Sequence, residues 1–125
     1  MPIIARAVLS AATIVFASTA AIAQDAVKVD PKHYQMVFEN SQVRVLRIHY
    51  GPHETSVMHS HPDGVVTYLT DGHMKFLLGN GKTITSDGKR GETNWAPGGP
   101  HKPTNLSNTP FDAVLVELKG APAHK

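Results

Sequence analysis

Turn-forming pairs recur so closely along this chain that only short strands fit between them. Gly51-Pro52, Asp63-Gly64, Asp71-Gly72, Asn80-Gly81, Asp87-Gly88, Pro97-Gly98-Gly99-Pro100 and Asn108-Thr109-Pro110 leave no interval longer than ten residues. Glycine and proline end helices, so none of these intervals supports a good one. The intervals carry strand chemistry instead. Between Gln42 and Tyr50, Val43 and Val45 alternate with Gln42 and Arg44, and Ile48 and Tyr50 alternate with Arg47 and His49. The phase shifts at Val45-Leu46, which predicts a bulge in this strand. Val65 to Thr70, His73 to Leu78, Lys82 to Ser86 and Phe111 to Leu118 continue the pattern, with Met74, Phe76 and Leu78 on one face. Asn80-Gly81 predicts a hairpin between two of them. Short strands spaced by turns, with no helical stretch and no internal repeat, indicate an all-β fold, an antiparallel sandwich or barrel.

The first 23 residues stand apart from that pattern. Met1 to Arg6 give a short positive start, Ala7 to Ala17 an apolar run, and Ala21-Ile22-Ala23 a small-x-small cleavage signal. This is the pattern of a secretory signal peptide. The run is rich in alanine, interrupted by Ser10, Thr13, Ser18 and Thr19, and short of the roughly 20 strongly apolar residues of a membrane span. Cleavage is expected after Ala23, leaving a single domain over residues 24–125 without a membrane anchor, in the periplasm or secreted. Arg6 is the only charged residue removed, so the 12 basic residues fall to 11 against 10 acidic ones. So even a balance, with no Lys/Arg cluster, argues against a nucleic-acid partner. The chain has no cysteine. Thiolate chemistry is excluded, and an exported domain of this size must rest on apolar burial or on a metal.

One short stretch then carries the chemistry. In "MHSHPDGVVTYLTDG", residues 58–72, His59 and His61 are one residue apart. Side chains two apart on a strand point to the same side of a sheet, so the two imidazoles face one way. A third ligand from another strand would complete a site of the kind zinc, iron, copper, nickel or manganese accepts. His101 is the leading candidate, because the glycine-proline turn just before it sets where its strand begins. With eight histidines in the chain, one such pair alone could arise by chance; the pair joined to His101 points to metal.

The two segments together, "HSH" with Gly72 eleven residues after it and "GETNWAPGGPHKPTN" from Gly91 to Asn105, resemble the paired motifs of the cupin superfamily. The resemblance implies a small single-domain cupin, a cupin-type antiparallel β-barrel or jelly roll. It makes His59, His61 and His101 metal ligands, Gly91, Pro97, Gly99 and Asn105 framework positions, and Gly72 a closing turn. The sequence departs from the family pattern at three points. The glutamate of the first motif should fall at position 65 or 66, and both are valine; Gly51 lies eight residues before His59 rather than six; and the second motif is one residue short between Gly99 and His101.

Three neutral imidazoles leave a divalent ion at +2, so such a site favours a small anionic ligand such as a thiolate, enolate or carboxylate. Three-histidine sites of this kind occur among the thiol dioxygenases and dione-cleaving enzymes of the superfamily, which implies a dioxygenase-like metalloenzyme. A non-catalytic small-molecule binding module and a metal-stabilised structural cupin are the alternatives. Asp63, Glu54 and Glu117 are the acids that could complete the site, with Asp63 expected in a turn, Glu54 in solvent and Glu117 on an alternation that could turn it inward. The reading without a carboxylate ligand is preferred. His49 and His73 are expected to be solvated, His33 and His124 lie near the termini, and His53 is expected to sit in a loop, while Trp95, Met58 and Met74 read as packing residues. Tyr50 and Tyr68 could hydrogen-bond a bound anion. The apolar segment Val27 to Phe38 offers an edge for the homodimer that members of this family often form.

Overall fold

The computed structural model describes residues 24–120; the expected signal peptide and His124 lie outside them. A single helical turn, α1 (Ala26–Val29), is followed by nine strands: β1 (Tyr34–Glu39), β2 (Val43–Tyr50), β3 (His59–His61), β4 (Gly64–Tyr68), β5 (Gly72–Leu78), β6 (Thr83–Gly88), β7 (Thr93–Ala96), β8 (Gly99–Asn105) and β9 (Phe111–Leu118). They form two antiparallel sheets, one ordered β1-β2-β9-β4-β7 and the other β3-β8-β5-β6. Among the described residues no ladder joins the sheets into a closed barrel. The structure therefore corrects the barrel expectation to a two-sheet sandwich; alternation shows which side chains share a face but not whether the last strand meets the first.

The core lies between the sheets. Leu46, Ile48 and Tyr50 from β2 meet Phe111, Ala113 and Leu115 from β9, with Tyr68 and Met74 closing from β4 and β5. The Asn80-Gly81 hairpin joins β5 and β6 as its sequence predicts, with Gly81 at φ +84° and the Lys82 amide donating to Asn80 Oδ1 at 3.0 Å. The predicted bulge moves to the neighbouring strand. β2 pairs without interruption along β9, and the register instead shifts between Met36 and Phe38 of β1, opposite Leu46 and Val45. The change of phase read at Val45-Leu46 has another cause: β2 keeps one alternation throughout, and Arg44, read as the polar partner of Val43 and Val45, shares the inward side with Leu46 and pairs with Glu117.

Two other expectations change. Trp95 is 56% exposed, because β7 is a sheet edge and its register partner Val65 faces outward with it. Met58 is exposed too, while Met74 is buried as expected. His33 is only 5% exposed: its ring stacks on Tyr50 with centroids 4.2 Å apart and its Nδ1 lies 2.7 Å from the Asp30 carboxylate. His49 and His73 are exposed and paired with Asp112 and Asp87. His53 sits in a loop, donating from Nε2 to Asn108 Oδ1 at 2.6 Å.

Asn105, at the end of β8, ties the second motif to the rest of the sandwich. It is fully buried, and its amide nitrogen donates to the carbonyls of Gly51 and Thr109 at 3.1 and 2.8 Å while its oxygen accepts from the Ser107 amide and hydroxyl. A buried side chain with both ends satisfied holds its neighbours in one arrangement. Here that fixes the far end of the strand that carries His101.

Candidate metal site

β3 is three residues long, and period-two alternation sends both of its histidines into the interior, His59 at 1% exposure and His61 at 8%. β3 pairs antiparallel with β8, and the register sets His59 directly opposite His101 and His61 opposite Gly99. The close approach of the Pro97-Gly98-Gly99-Pro100 turn to β3 makes that register. A side chain at Gly98 would place its Cβ 2.8 Å from both the His61 carbonyl oxygen and the Asp63 amide nitrogen, so only glycine lets the turn pass. Asp63 supports the same turn, accepting from the Gly98 amide at 2.6 Å.

The three imidazoles converge as the sequence predicts. Ring centroids are 4.8 Å apart for His59 and His61, 4.8 Å for His59 and His101, and 5.2 Å for His61 and His101. One nitrogen from each lies within 4.8 Å of the others. The hydrogen bonds on the far sides of two rings decide which nitrogens those are. His59 Nδ1 donates to the Val57 carbonyl at 2.9 Å and His61 Nδ1 donates to Glu117 Oε2 at 2.5 Å, which leaves the Nε2 of each ring facing the shared space. His101 turns its own Nε2 to within 3.1 Å of that of His59.

Nitrogens bound to one ion at about 2.0–2.1 Å stand ~2.9 Å apart at a right angle and ~3.4 Å apart at the tetrahedral angle. The His59–His101 separation of 3.1 Å falls in that window, so these two donors fit one divalent transition metal, and His61 offers a third nitrogen within 4.8 Å of them.

Burial also prepares the ligands. Burial holds His59 down at about 4, partly offset by its bond to Val57, and holds His101 down at about 3 with help from the two neighbouring rings; the usual value is 6.5. Both are neutral, the form that binds metal, at any pH near 7. The same shifts give a pH prediction for the metal-free protein. The unfolded chain takes up protons on these histidines near pH 6.5 and the folded one only near 4 and 3, so the unfolded state binds more protons in between. Stability is fully present above 6.5 and falls as pH drops toward 4. Melting temperatures of chelator-treated protein from pH 7.5 to pH 4 should therefore decline, less steeply in a His59→Gln/His101→Gln variant; identical slopes would contradict the assignment.

The acids weighed as a fourth ligand are all elsewhere. Glu54 accepts from the Gly51 amide at 2.5 Å and pairs with Lys32. Asp63 is committed to Gly98. Glu117 is inward, as its alternation allows, but it meets the Nδ1 of His61, on the side away from the other two rings. Burial pushes its carboxyl up, yet the bonds from His61 and Arg44 outweigh that and hold it below the usual carboxylate range. Val66, at one of the two positions where the family pattern expects a glutamate, faces inward and forms part of an apolar wall.

That wall belongs to a cavity of about 100 Å³ between the sheets, lined by Ile48, Val66, Met74 and Leu115, with His61 and His101 at its side. Tyr34 and Tyr50 also face it. Tyr34 sets its ring edge against His59 at 4.6 Å and its hydroxyl 2.6 Å from that of Tyr50. Tyr34 had no signal in the sequence, since only the packing of β1 over β3 shows that its side chain reaches the site.

No protein-family model matches the chain, and no curated protein matches it. Solved structures do. A cupin domain from Bordetella pertussis is 29% identical over 70% of this chain and 92% of its own, with a TM-score of 0.64. A protein with a double-stranded β-helix domain from Klebsiella pneumoniae is 28% identical over 70% of this chain and 78% of its own, with a TM-score of 0.55. The polyketide cyclase RemF of Streptomyces resistomycificus, 18% identical over 71% of this chain and 66% of its own at a TM-score of 0.51, shares the fold alone.

Proposed function

Since this chain is a small cupin-domain protein with three histidines converging beside an apolar cavity, we propose that it binds a divalent transition metal through His59, His61 and His101 and presents it to a small anionic molecule. The observation that carries the reading is the 3.1 Å approach of two Nε2 atoms, one of them on a ring whose Nδ1 is already committed to a carbonyl. Facing lone pairs repel unless a proton or a cation lies between them.

The class of ligand follows from charge. Among the described residues no carboxylate enters the histidine group, and the cavity wall beside it is apolar, so a divalent ion there keeps its full charge in a poorly solvated space. A thiolate, enolate or carboxylate with a small apolar body answers both conditions. Burial pushes the Tyr34 and Tyr50 hydroxyls far up, so both stay protonated. One donates to the other, and the pair stands beside the cavity where a bound anion would lie. A metal here would supply a Lewis acid and, for iron, a place for dioxygen, which is the basis of a dioxygenase-like activity.

The signal-peptide pattern over residues 1–23 supports a periplasmic or secreted setting. The exposed Met36, Val37 and Phe38 on edge strand β1 support a homodimer formed there. A metal held only to stabilise a cysteine-free fold is the second reading, and it requires no ligand.

The test uses cobalt(II)-loaded protein, whose visible bands report the metal's surroundings. Small carboxylates and thiols should shift the bands at concentrations where the matching amides and alcohols do not. Equal responses to charged and neutral compounds, or none to either, would remove the anionic-ligand proposal. Oxygen uptake with thiols and diones on iron-loaded protein then separates turnover from binding.

A further inference from the structure

On the side of His61 away from the other two ligands, charged side chains run in a row that the three-histidine reading does not use. Glu117 of β9, 1% exposed, accepts from His61 Nδ1 through Oε2 and from Arg44 Nε through Oε1 at 2.7 Å. Arg44 of β2 reaches on with both terminal nitrogens to the two Asp25 oxygens, at 2.6 and 2.7 Å. Asp25 in turn caps α1, accepting from the Val27 amide at 3.0 Å. Four separate segments thus contribute one side chain each to a continuous line ending on a metal ligand.

Such a line is costly to bury. A carboxylate withdrawn from water loses its hydration, and an apolar residue in the same place would pack at less expense. Each oxygen of Glu117 is answered by one donor, so the group is held in a single orientation. A carboxylate that accepts from the rear nitrogen of a ligating histidine fixes the tautomer and the ring plane, and it makes the front nitrogen a stronger donor.

From this we infer that Glu117, braced by Arg44 and Asp25, is the positioning residue of the metal site, supplying through His61 the negative charge that the valines at 65 and 66 withhold from the metal itself. Charge delivered through a histidine strengthens metal binding without occupying a coordination position. The site can then hold its ion firmly and still keep its open positions for a ligand. Arg44, bonded to Oε1 at 2.7 Å, ties Glu117 to the side of His61 away from the other two rings. The inference rests on the three-histidine reading.

The test compares the full chain with its Glu117→Gln variant, which keeps the size and one oxygen acceptor but removes the charge. Both are stripped with a chelator and titrated with zinc(II) against a chromophoric competitor, and both are loaded with cobalt(II) for visible spectra. The variant should bind zinc about 10–100-fold more weakly and give altered cobalt bands. On the parent alone, nitrogen-15 NMR of the histidine rings should show His61 protonated at Nδ1 before and after zinc, with only the Nε2 resonance moving; that measurement stands even where the variant does not fold. Unchanged zinc affinity and cobalt bands in a folded Glu117→Gln variant, or zinc shifting the Nδ1 of His61, would overturn the inference while leaving the metal site in place. A parent that binds neither metal would overturn both.

Discussion

Replacing His61 by alanine is expected to reduce bound metal from about one per chain to background, whereas replacing the exposed His73 leaves it unchanged. The difference comes from position. His61 contributes one of three converging nitrogens and is the only one anchored to a buried carboxylate, while His73 faces solvent and pairs with Asp87. Loss of a direct ligand should exceed the roughly 10–100-fold weakening that follows loss of an outer partner. The substitution also leaves one oxygen of Glu117 buried without its donor, a penalty of about 1–3 kcal/mol or more for a charged group, so the metal-free variant should melt earlier than the metal-free parent. Elemental analysis of protein purified without a histidine tag reads the first effect, and thermal melts in chelator read the second. Equal metal content in His61→Ala and parent would end the three-histidine assignment.

A core substitution should show the opposite pairing of effects. Leu46 is fully buried at the middle of β2, between its register partners Met36 on β1 and Leu115 on β9. Leu46→Ala removes the packing of its three outer carbons and leaves a cavity between strands that cannot close on it, which costs about 2–5 kcal/mol. For a domain of this size that corresponds to a fall in melting temperature of roughly 10–30 °C. Metal content, measured well below the new melting temperature, should match the parent's, because the hydrogen bonds that hold His59 and His61, to Val57 and Glu117, do not involve Leu46. A loss below about 1 kcal/mol would show that the two sheets do not pack there as described. Together the two variants separate what holds the fold from what holds the ion.

How much of this was legible beforehand depends on the range over which each signal acts. Turn pairs such as Asn80-Gly81 act over four residues, and the hairpin they predict is present. The inward position of Met74 and the shared face of His59 and His61 follow from the two-residue period of a strand, and both were readable. His101 was reachable because the glycine-proline turn before it carries its own local signal. Trp95 was misread and His33 gave no signal for a common reason: an aromatic ring is inside or outside according to whether another element covers it. Among the described residues β7 is a sheet edge whose Trp95 is left exposed, whereas His33 is covered by Tyr50 of β2.

Arg44 and Glu117 show the limit most clearly. In the sequence Arg44 looked like the ordinary polar partner of Val43 and Val45, and Glu117 like one of three acids that could complete the histidine site. Each is intelligible only beside the other, and they are brought together by the pairing of β2 with β9, in which Arg44 and Glu117 are opposed across 73 residues. The sequence by itself determined that this chain forms short antiparallel strands and that two histidines share a face, because turn chemistry and the pleat are local properties of the backbone. Only the tertiary structure decided that His101 lies opposite His59, that the face is the interior, and that a buried carboxylate stands behind His61. Those facts depend on which distant strands pair, and pairing is settled by burial of the whole sandwich, which no short stretch of residues specifies.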